Sequence, residues 1–336
     1  MVKNVFIILG NGFSIDFLNH LKDTDVKAKE ISLSNLFENG ELVPWPGNGK
    51  PGFLSYKYCP NLWTLGARPN LNATESINLI ENIITCANAL NNRQRNVDSI
   101  YMRAYKELVT YLKALFIFYN DKINVPNINL ANWGWSKYLK TLSQNPEISN
   151  VHIVTLNYDI WLERILRKND IDFSITNFDQ PKKVIVYKPH GSISFSHSSK
   201  KVKEAFEISY EHDILDGKLS EFTVEYDNLS VLNSINAMIP PAGDSHRLDF
   251  AWAKDIRESI INVSSGLTVH DELVICGTSY WHVDRLEMDR ILTSIDSNIN
   301  DVKVINPYSP NVFNAVVTTL FKNVTFFKNS NPLGEL

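Results

Sequence analysis

The chain has 336 residues, more than one small domain requires and enough to bury a large core. It is 44% apolar and 21% charged, the composition of a soluble globular protein, and its net charge of −4 excludes a general attraction to nucleic acid or anionic membrane. Cys59, Cys86 and Cys276 are widely spaced and form no CxxC pair, which excludes a zinc ribbon or a disulfide framework and leads us to expect a reducing cytoplasm.

Val5-Phe6-Ile7-Ile8-Leu9 is an unbroken apolar run, as expected for a strand buried on both faces. This apolar start breaks at Gly10, too early for a secretory signal, and no later run approaches a membrane span. Gly10-Asn11-Gly12-Phe13-Ser14 follows. The two glycines permit a sharp turn whose amides approach an anion, and Ser14 is placed to cap the next helix. A third glycine at the dinucleotide-fingerprint spacing is missing, so the block reads either as a phosphate cradle or as a plain strand-to-helix turn.

Residues 26–72 crowd Pro44, Pro46, Gly47, Gly49, Pro51 and Gly52 around Trp45, which predicts a long irregular surface excursion, a place to look for a lid or a partner contact. Ile77, Ile80, Ile84 and Ala87 repeat at helical spacing, as do Tyr101, Tyr105, Leu108, Leu112 and Leu115. Ala131 to Leu142 is a further predicted helix. We read 26–147 as an inserted loop and helical lobe. The aromatic residues of the lobe are expected to pack rather than to bind a ligand.

Strand-type runs resume at Val151–Thr155, Lys183–Tyr187, Glu272–Cys276 and Val302–Ile305, separated by helical patterns at Ile160–Arg167, Phe250–Val263 and Val283–Ser294. The alternation predicts an α/β fold: a Rossmann-like, doubly wound, mostly parallel sheet built from 1–25 and 148–325, with the helical lobe inserted, all within one domain. The stretch 196–235 is polar and carries no clear period.

Four further blocks follow predicted strands. Asn157 and Asp159, in Thr155-Leu156-Asn157-Tyr158-Asp159, either serve a ligand's ribose, water or carboxamide, or merely cap the helix beginning near Ile160. His190 stands between Pro189 and Gly191, where an imidazole can act as a general base near neutral pH, although most lone histidines do no chemistry. Gly277-Thr278-Ser279 and Asn306-Pro307 read as pyrophosphate and adenosine contacts or as ordinary turns. The basic run Lys200-Lys201 to Lys203 reads as solvated surface, so direct nucleic-acid binding is not expected.

The order of these blocks resembles the sirtuin family, specifically its bacterial sirtuin-like branch. The resemblance spans Leu9–Asp16, Thr155–Asp159, Lys188–Ile193, Ile239-Pro240-Pro241, Ile275–Asp284 and Asn306–Pro307. It implies NAD as substrate, catalytic roles for Asn157 and His190, to which the chemistry of the residues adds Asp159 as the group expected to hold the nicotinamide carboxamide, and cofactor contacts at Gly10, Gly12, Phe13, Ser14, Asp16, Gly277, Thr278, Ser279 and Asn306. The two CxxC pairs of the deacylases are absent, Ile15-Asp16-Phe17-Leu18-Asn19 replaces their GIPDFR-like loop, and no FGE segment appears. These departures point away from protein deacylation and leave no metal expected.

By resemblance the chain is an NAD glycohydrolase that releases nicotinamide and ADP-ribose as an antiphage defence effector depleting cellular NAD. The same resemblance implies a homo-oligomer with a partner protein such as an ATPase subunit of a defence complex. A non-catalytic NAD- or ADP-ribose-sensing module, a deacylase and an ADP-ribosyl transferase are the alternative readings.

Overall fold

The structure is a computed structural model that describes residues 2–89, 99–208, 210, 216–241, 250–278 and 284–335. Its elements begin with β1 (Lys3–Leu9), α1 (Asn11–Leu21), α2 (Pro60–Thr64), α3 (Ala73–Ala89) and α4 (Ile100–Lys122). They continue with α5 (Gly134–Gln144), β2 (Ile148–Thr155), α6 (Trp161–Lys168), β3 (Phe173–Ile175), β4 (Val184–Tyr187), β5 (Phe195–His197) and β6 (Phe222–Val224). The chain closes with α7 (Ala251–Ser265), β7 (Glu272–Cys276), α8 (Arg285–Ser294), β8 (Asp301–Ile305), α9 (Asn311–Leu320) and β9 (Val324–Phe327).

These elements fall into two compact units. Met1–Ala28, Asn124–Pro189 and Lys254–Leu336 form the first, and Lys29–Ile123 with His190–Ala253 form the second. The first carries a seven-stranded sheet in the order β3-β4-β2-β1-β7-β8-β9. Every pairing in that sheet is parallel, and helices flank it in the doubly wound α/β manner. β1 lies at the centre because Val5, Phe6, Ile7 and Ile8 can be buried on both faces, and none of the four is exposed. Phe13, Phe17, Leu18 and Leu21 form the buried stripe of α1.

The second unit is built on α4, whose Leu108, Tyr111, Leu112, Leu115 and Tyr119 are all fully buried. Segment 29–72 is irregular, but it turns inward instead of lying on the surface. Phe37, Val43, Phe53, Leu54 and Leu62 are buried, Pro44 bridges Pro51, and Trp45 stacks on Tyr58 with ring centroids 4.3 Å apart. Prolines and glycines supply the turns while the apolar residues between them join the core. β5 and β6 form a short antiparallel pair that begins at Phe195 and runs into 196–235.

Several boundaries differ from the sequence expectation. The helix expected from Ala131 starts at Gly134, since the indole of Trp133 is held by Asp16 Oδ2 at 2.9 Å just before it. Val283 lies outside the described residues, and the helix expected there is described from Arg285. β3, β9 and α9 carry too short or too mixed an apolar pattern to stand out in the sequence. Among the described residues, no helix is long and apolar enough to cross a membrane.

Candidate functional site

The register of the sheet decides what meets at its carboxyl edge. Leu9 pairs with Thr155 on one side and Cys276 on the other, and Cys276 pairs with Ile305. Four strands therefore end in step, and Gly10, Asn157, Gly277 and Asn306 leave the sheet along one line. From β1 the chain first fills one side of the sheet with β2, β3 and β4, then returns beside β1 as β7 and fills the other. The reversal lies between β1 and β7, the position at which open α/β sheets bind ligands.

At that reversal two backbones touch. Gly10 N donates to the Cys276 carbonyl at 2.9 Å and Gly12 N to the Gly277 carbonyl at 3.0 Å, while Gly277 N donates to the Ile305 carbonyl at 3.0 Å. A Cβ on Gly12 would lie 2.3 Å from Gly277 Cα, and one on Gly10 would lie 2.6 Å from the Gly277 oxygen. Gly277 also has φ +62°, in the left-handed region that favours glycine.

The amides of Gly10 and Gly12 are thus spent on holding the two turns together, where the sequence suggested that they face an anion. Phe13 N is engaged as well, by the Gly10 carbonyl at 3.1 Å, so what the crossing offers a ligand is the positive end of the α1 dipole and the hydroxyl of Thr278. That hydroxyl is buried without a hydrogen-bond partner among the described residues. Asn306 Nδ2 donates to the Thr278 carbonyl at 3.0 Å, tying the end of β8 to the same turn.

Beside the crossing, Asn157, Ser14 and Asp159 form a hydrogen-bonded chain. Asn157 Nδ2 donates to the Gly10 carbonyl (3.0 Å) and to Ser14 Oγ (2.9 Å). Ser14 Oγ donates to Asp159 Oδ2 at 2.7 Å, and Asp159 Oδ1 accepts the Trp161 N–H at 3.1 Å. A carbonyl can only accept, so the nitrogen of Asn157 must face Gly10, and the group that Asn157 has left for a ligand, among the described residues, is its acceptor oxygen.

Ser14 sits inside the first turn of α1 rather than at its cap, which is Gly10, and its hydroxyl is fully buried on Asp159. Both oxygens of Asp159 are engaged, one of them by the amino-terminal amide of α6. Its carboxylate therefore holds Ser14 and α6 in place, and the carboxamide role considered from the sequence does not suit it.

Burial raises the Asp159 carboxyl from its ordinary value, opposed first by Lys188 and then by the hydrogen bonds from Ser14 and Trp161. Lys188 follows β4 directly. Its ammonium donates to the Asp159 carbonyl (2.6 Å) and to Glu163 Oε1 (2.7 Å), and both side chains of that ion pair are fully buried. The sequence reading gave neither residue a role. The available signal was a lysine ending an apolar strand next to a proline.

The remaining expected positions are engaged in packing. The Phe13 ring lies against Trp133 and Trp135, with centroids 5.6 and 5.4 Å away. Asp16 Oδ2 accepts from the Trp133 indole at 2.9 Å and the Ser330 hydroxyl at 2.7 Å. Ser279 lies outside the described residues.

His190 belongs to the second unit, where it is buried and its carbonyl accepts the Ile239 N–H at 3.0 Å. The glycine after it has φ +83°, and a Cβ there would lie 1.8 Å from the Ala237 oxygen, so this turn too is built around a close backbone approach. No protein-family model and no curated protein matches the chain.

Proposed function

We propose that the chain is an NAD glycohydrolase that cleaves the nicotinamide–ribose bond. The observation that carries the reading is the convergence, at the reversal between β1 and β7, of a glycine-only backbone crossing with the acceptor oxygen of Asn157. A dinucleotide fits that place on chemical grounds. Its phosphates suit the positive end of the α1 dipole and the Thr278 hydroxyl, which has no partner among the described residues, and its ribose hydroxyls are donors suited to the Asn157 oxygen.

The reaction asks little of the protein beyond grip and orientation. Nicotinamide leaves with the bonding electron pair of its glycosidic bond and becomes neutral, so no strong acid is required. Water supplies the oxygen that joins ribose C1′. One water proton must be taken up, and we assign that task to His190 on the strength of the resemblance. Asn157 orients the ribose or the water through its acceptor oxygen. Positioning of this kind can supply a large part of the barrier lowering. In keeping with the same resemblance, we propose that the activity depletes cellular NAD in antiphage defence, in an oligomer or with a partner that controls it.

The test is to incubate the purified protein with NAD and quantify nicotinamide, ADP-ribose and cyclic product beside Asn157→Ala and His190→Ala. Release of nicotinamide that both substitutions abolish supports the reading. Equal release by all three proteins overturns it. Binding of NAD without release by the wild type favours a sensing module.

A further inference from the structure

β9 closes one end of the seven-stranded sheet, and among the described residues β8 is its only strand partner. Successive residues of a strand turn their backbone groups to opposite edges, so the register with β8 decides which groups are paired. Ile305 is level with Phe327, and Asn306 N donates to the Phe327 carbonyl at 2.9 Å. Phe327 and Thr325 therefore face β8, while the N–H and C=O groups of Val324 and Phe326 face away from the sheet. Among the described residues no hydrogen bond joins those four groups to anything.

A free edge is normally blunted by a charge, a proline or a bulge within the strand. β9 has none of these. It reads Val324-Thr325-Phe326-Phe327, its pairing with β8 runs without a shift, and the Phe326 residue is 42% exposed. Beyond Ile305 the chain leaves the same end of the sheet as Tyr308, 90% exposed, and enters α9, where Val312 is also exposed. From Asn306 to Gly334 there is no Asp, Glu or Arg, and the charges are Lys322 and Lys328, both exposed and flanking β9. The carboxylate of β8, Asp301, is already matched by Lys303 at 2.6 Å. In a protein of net charge −4 this edge is therefore locally basic, and all of it lies within the first unit.

The charges select among the strands that could pair here. A second copy of β9, antiparallel and centred on Thr325, would set each Lys322 opposite a Lys328, and like charges directly opposite destabilise a strand pair. A segment with carboxylates at both ends meets the lysines favourably. We propose that the outer edge of β9 is a docking site for an extended acidic segment of a partner protein, which joins the seven-stranded sheet as a further strand. The outward groups of Val324 and Phe326 supply its backbone hydrogen bonds. The side chains of those two residues share one face of the strand and receive its apolar residues. Lys322 and Lys328, roughly 20 Å apart along an extended chain, receive its carboxylates. Docking at this edge does not depend on NAD cleavage.

The experiment uses the full chain without NAD. In protein labelled with 15N-phenylalanine, the outward Phe326 amide should exchange with solvent at least about tenfold faster than the Phe327 amide, which β8 protects. The probe is an end-blocked fluorescent peptide, Glu-Val-Thr-Val-Thr-Val-Glu, and its counterpart carries Lys at both ends. Fluorescence anisotropy should show saturable binding of the Glu peptide, about tenfold or more tighter than its counterpart, and the bound peptide should slow exchange at Phe326.

Lys322→Glu/Lys328→Glu should reverse the preference between the two peptides. Phe326→Pro removes an outward N–H and no bond to β8, so it should fold and weaken the Glu peptide by about tenfold or more, whereas Phe326→Val keeps the amide and should weaken it less. Should Phe326→Pro fail to fold, the charge-reversed variant decides alone. No saturable binding of the Glu peptide below roughly 1 mM, equal affinity for both peptides, or a preference unchanged by charge reversal overturns the proposal. So does concentration-dependent dimerisation that Phe326→Pro abolishes, which assigns the edge to a second copy.

Discussion

The backbone crossing between Gly12 and Gly277 can be tested by adding a single carbon to either side. A Cβ on Gly12 would lie 2.3 Å from Gly277 Cα, and ordinary carbon contacts begin near ~3.5 Å, so the turns must part by about 1.2 Å. That movement strains the packing by ~1–3 kcal/mol. It also breaks the Gly10–Cys276 and Gly12–Gly277 hydrogen bonds, which are worth ~1 kcal/mol each. Alanine returns ~1 kcal/mol of helix propensity, because Gly12 lies inside α1.

Gly12→Ala should therefore destabilise by about 2–4 kcal/mol. Gly277→Ala meets the same clash without the helical return and adds ~1–2 kcal/mol for its left-handed backbone, for a total of about 4–7 kcal/mol. The two substitutions act on one contact, so the double variant should lose less than their sum. Gly266→Ala is the control, since its Cβ would meet nothing nearer than 3.4 Å. Urea denaturation followed by circular dichroism reads all four proteins. A Gly12→Ala protein within ~0.5 kcal/mol of wild type, or strict additivity of the pair, would refute the crossing.

Ser14→Ala should cost about 1–3 kcal/mol in the same assay, because it leaves Asn157 Nδ2 and Asp159 Oδ2 each short of a buried partner. At the opposite edge of the sheet, burial acts to raise the Glu272 carboxyl, but Lys303 and hydrogen bonds from Lys3, Lys303 and Tyr138 outweigh it and leave the group below its ordinary value. Stability from a depressed carboxyl is present above its unfolded value and lost as pH falls through the folded one. Glu272→Gln should thus cost about 2–3 kcal/mol near neutral pH, less than the loss of an isolated buried pair because Lys303 keeps Asp301, and the gap to wild type should close as pH falls below the carboxylate range. His152, buried against the Tyr187 hydroxyl, is lowered to about 4 by burial, with Asp271 opposing. Its imidazole should remain neutral by NMR at pH values where free histidine is charged. Because the unfolded chain takes up that proton first, the wild type should lose about 3 kcal/mol as pH drops from ~6.5 toward ~4, a loss that His152→Gln should not show.

The central strands were legible because each is rich in apolar and β-branched residues, Val5–Leu9 without interruption and the others with one or two polar positions such as His152, Glu272 and Lys303. Val5–Leu9, Val151–Thr155, Lys183–Tyr187, Glu272–Cys276 and Val302–Ile305 correspond to β1, β2, β4, β7 and β8 within a few residues. A strand buried on both faces must be largely apolar, and that signal is local. β3 and β9 lie at the edges of the sheet, are three and four residues long, and leave no comparable mark. Segment 29–72 misled for a related reason. Its prolines and glycines do break regular structure, but composition does not say whether a turn faces water or carries Phe53 and Leu54 into a core.

By itself, the sequence located five of the strands, implied a mostly parallel sheet, and showed which residues follow the strand ends. It placed Gly10, Asn157, Gly277 and Asn306 after strands, and the common register of those strands brings them to one edge. Only the tertiary structure decided what these residues do to one another. It spent the glycine amides on a backbone crossing, moved Ser14 from a helix cap to a relay, turned Phe13 and Asp16 toward tryptophans, and brought Lys188 to Asp159. Strand and helix patterns arise between near neighbours and can be read in a short window. A hydrogen bond such as Ser14 to Asp159 joins residues 145 positions apart, and its partner and direction exist only once the sheet has set both in register.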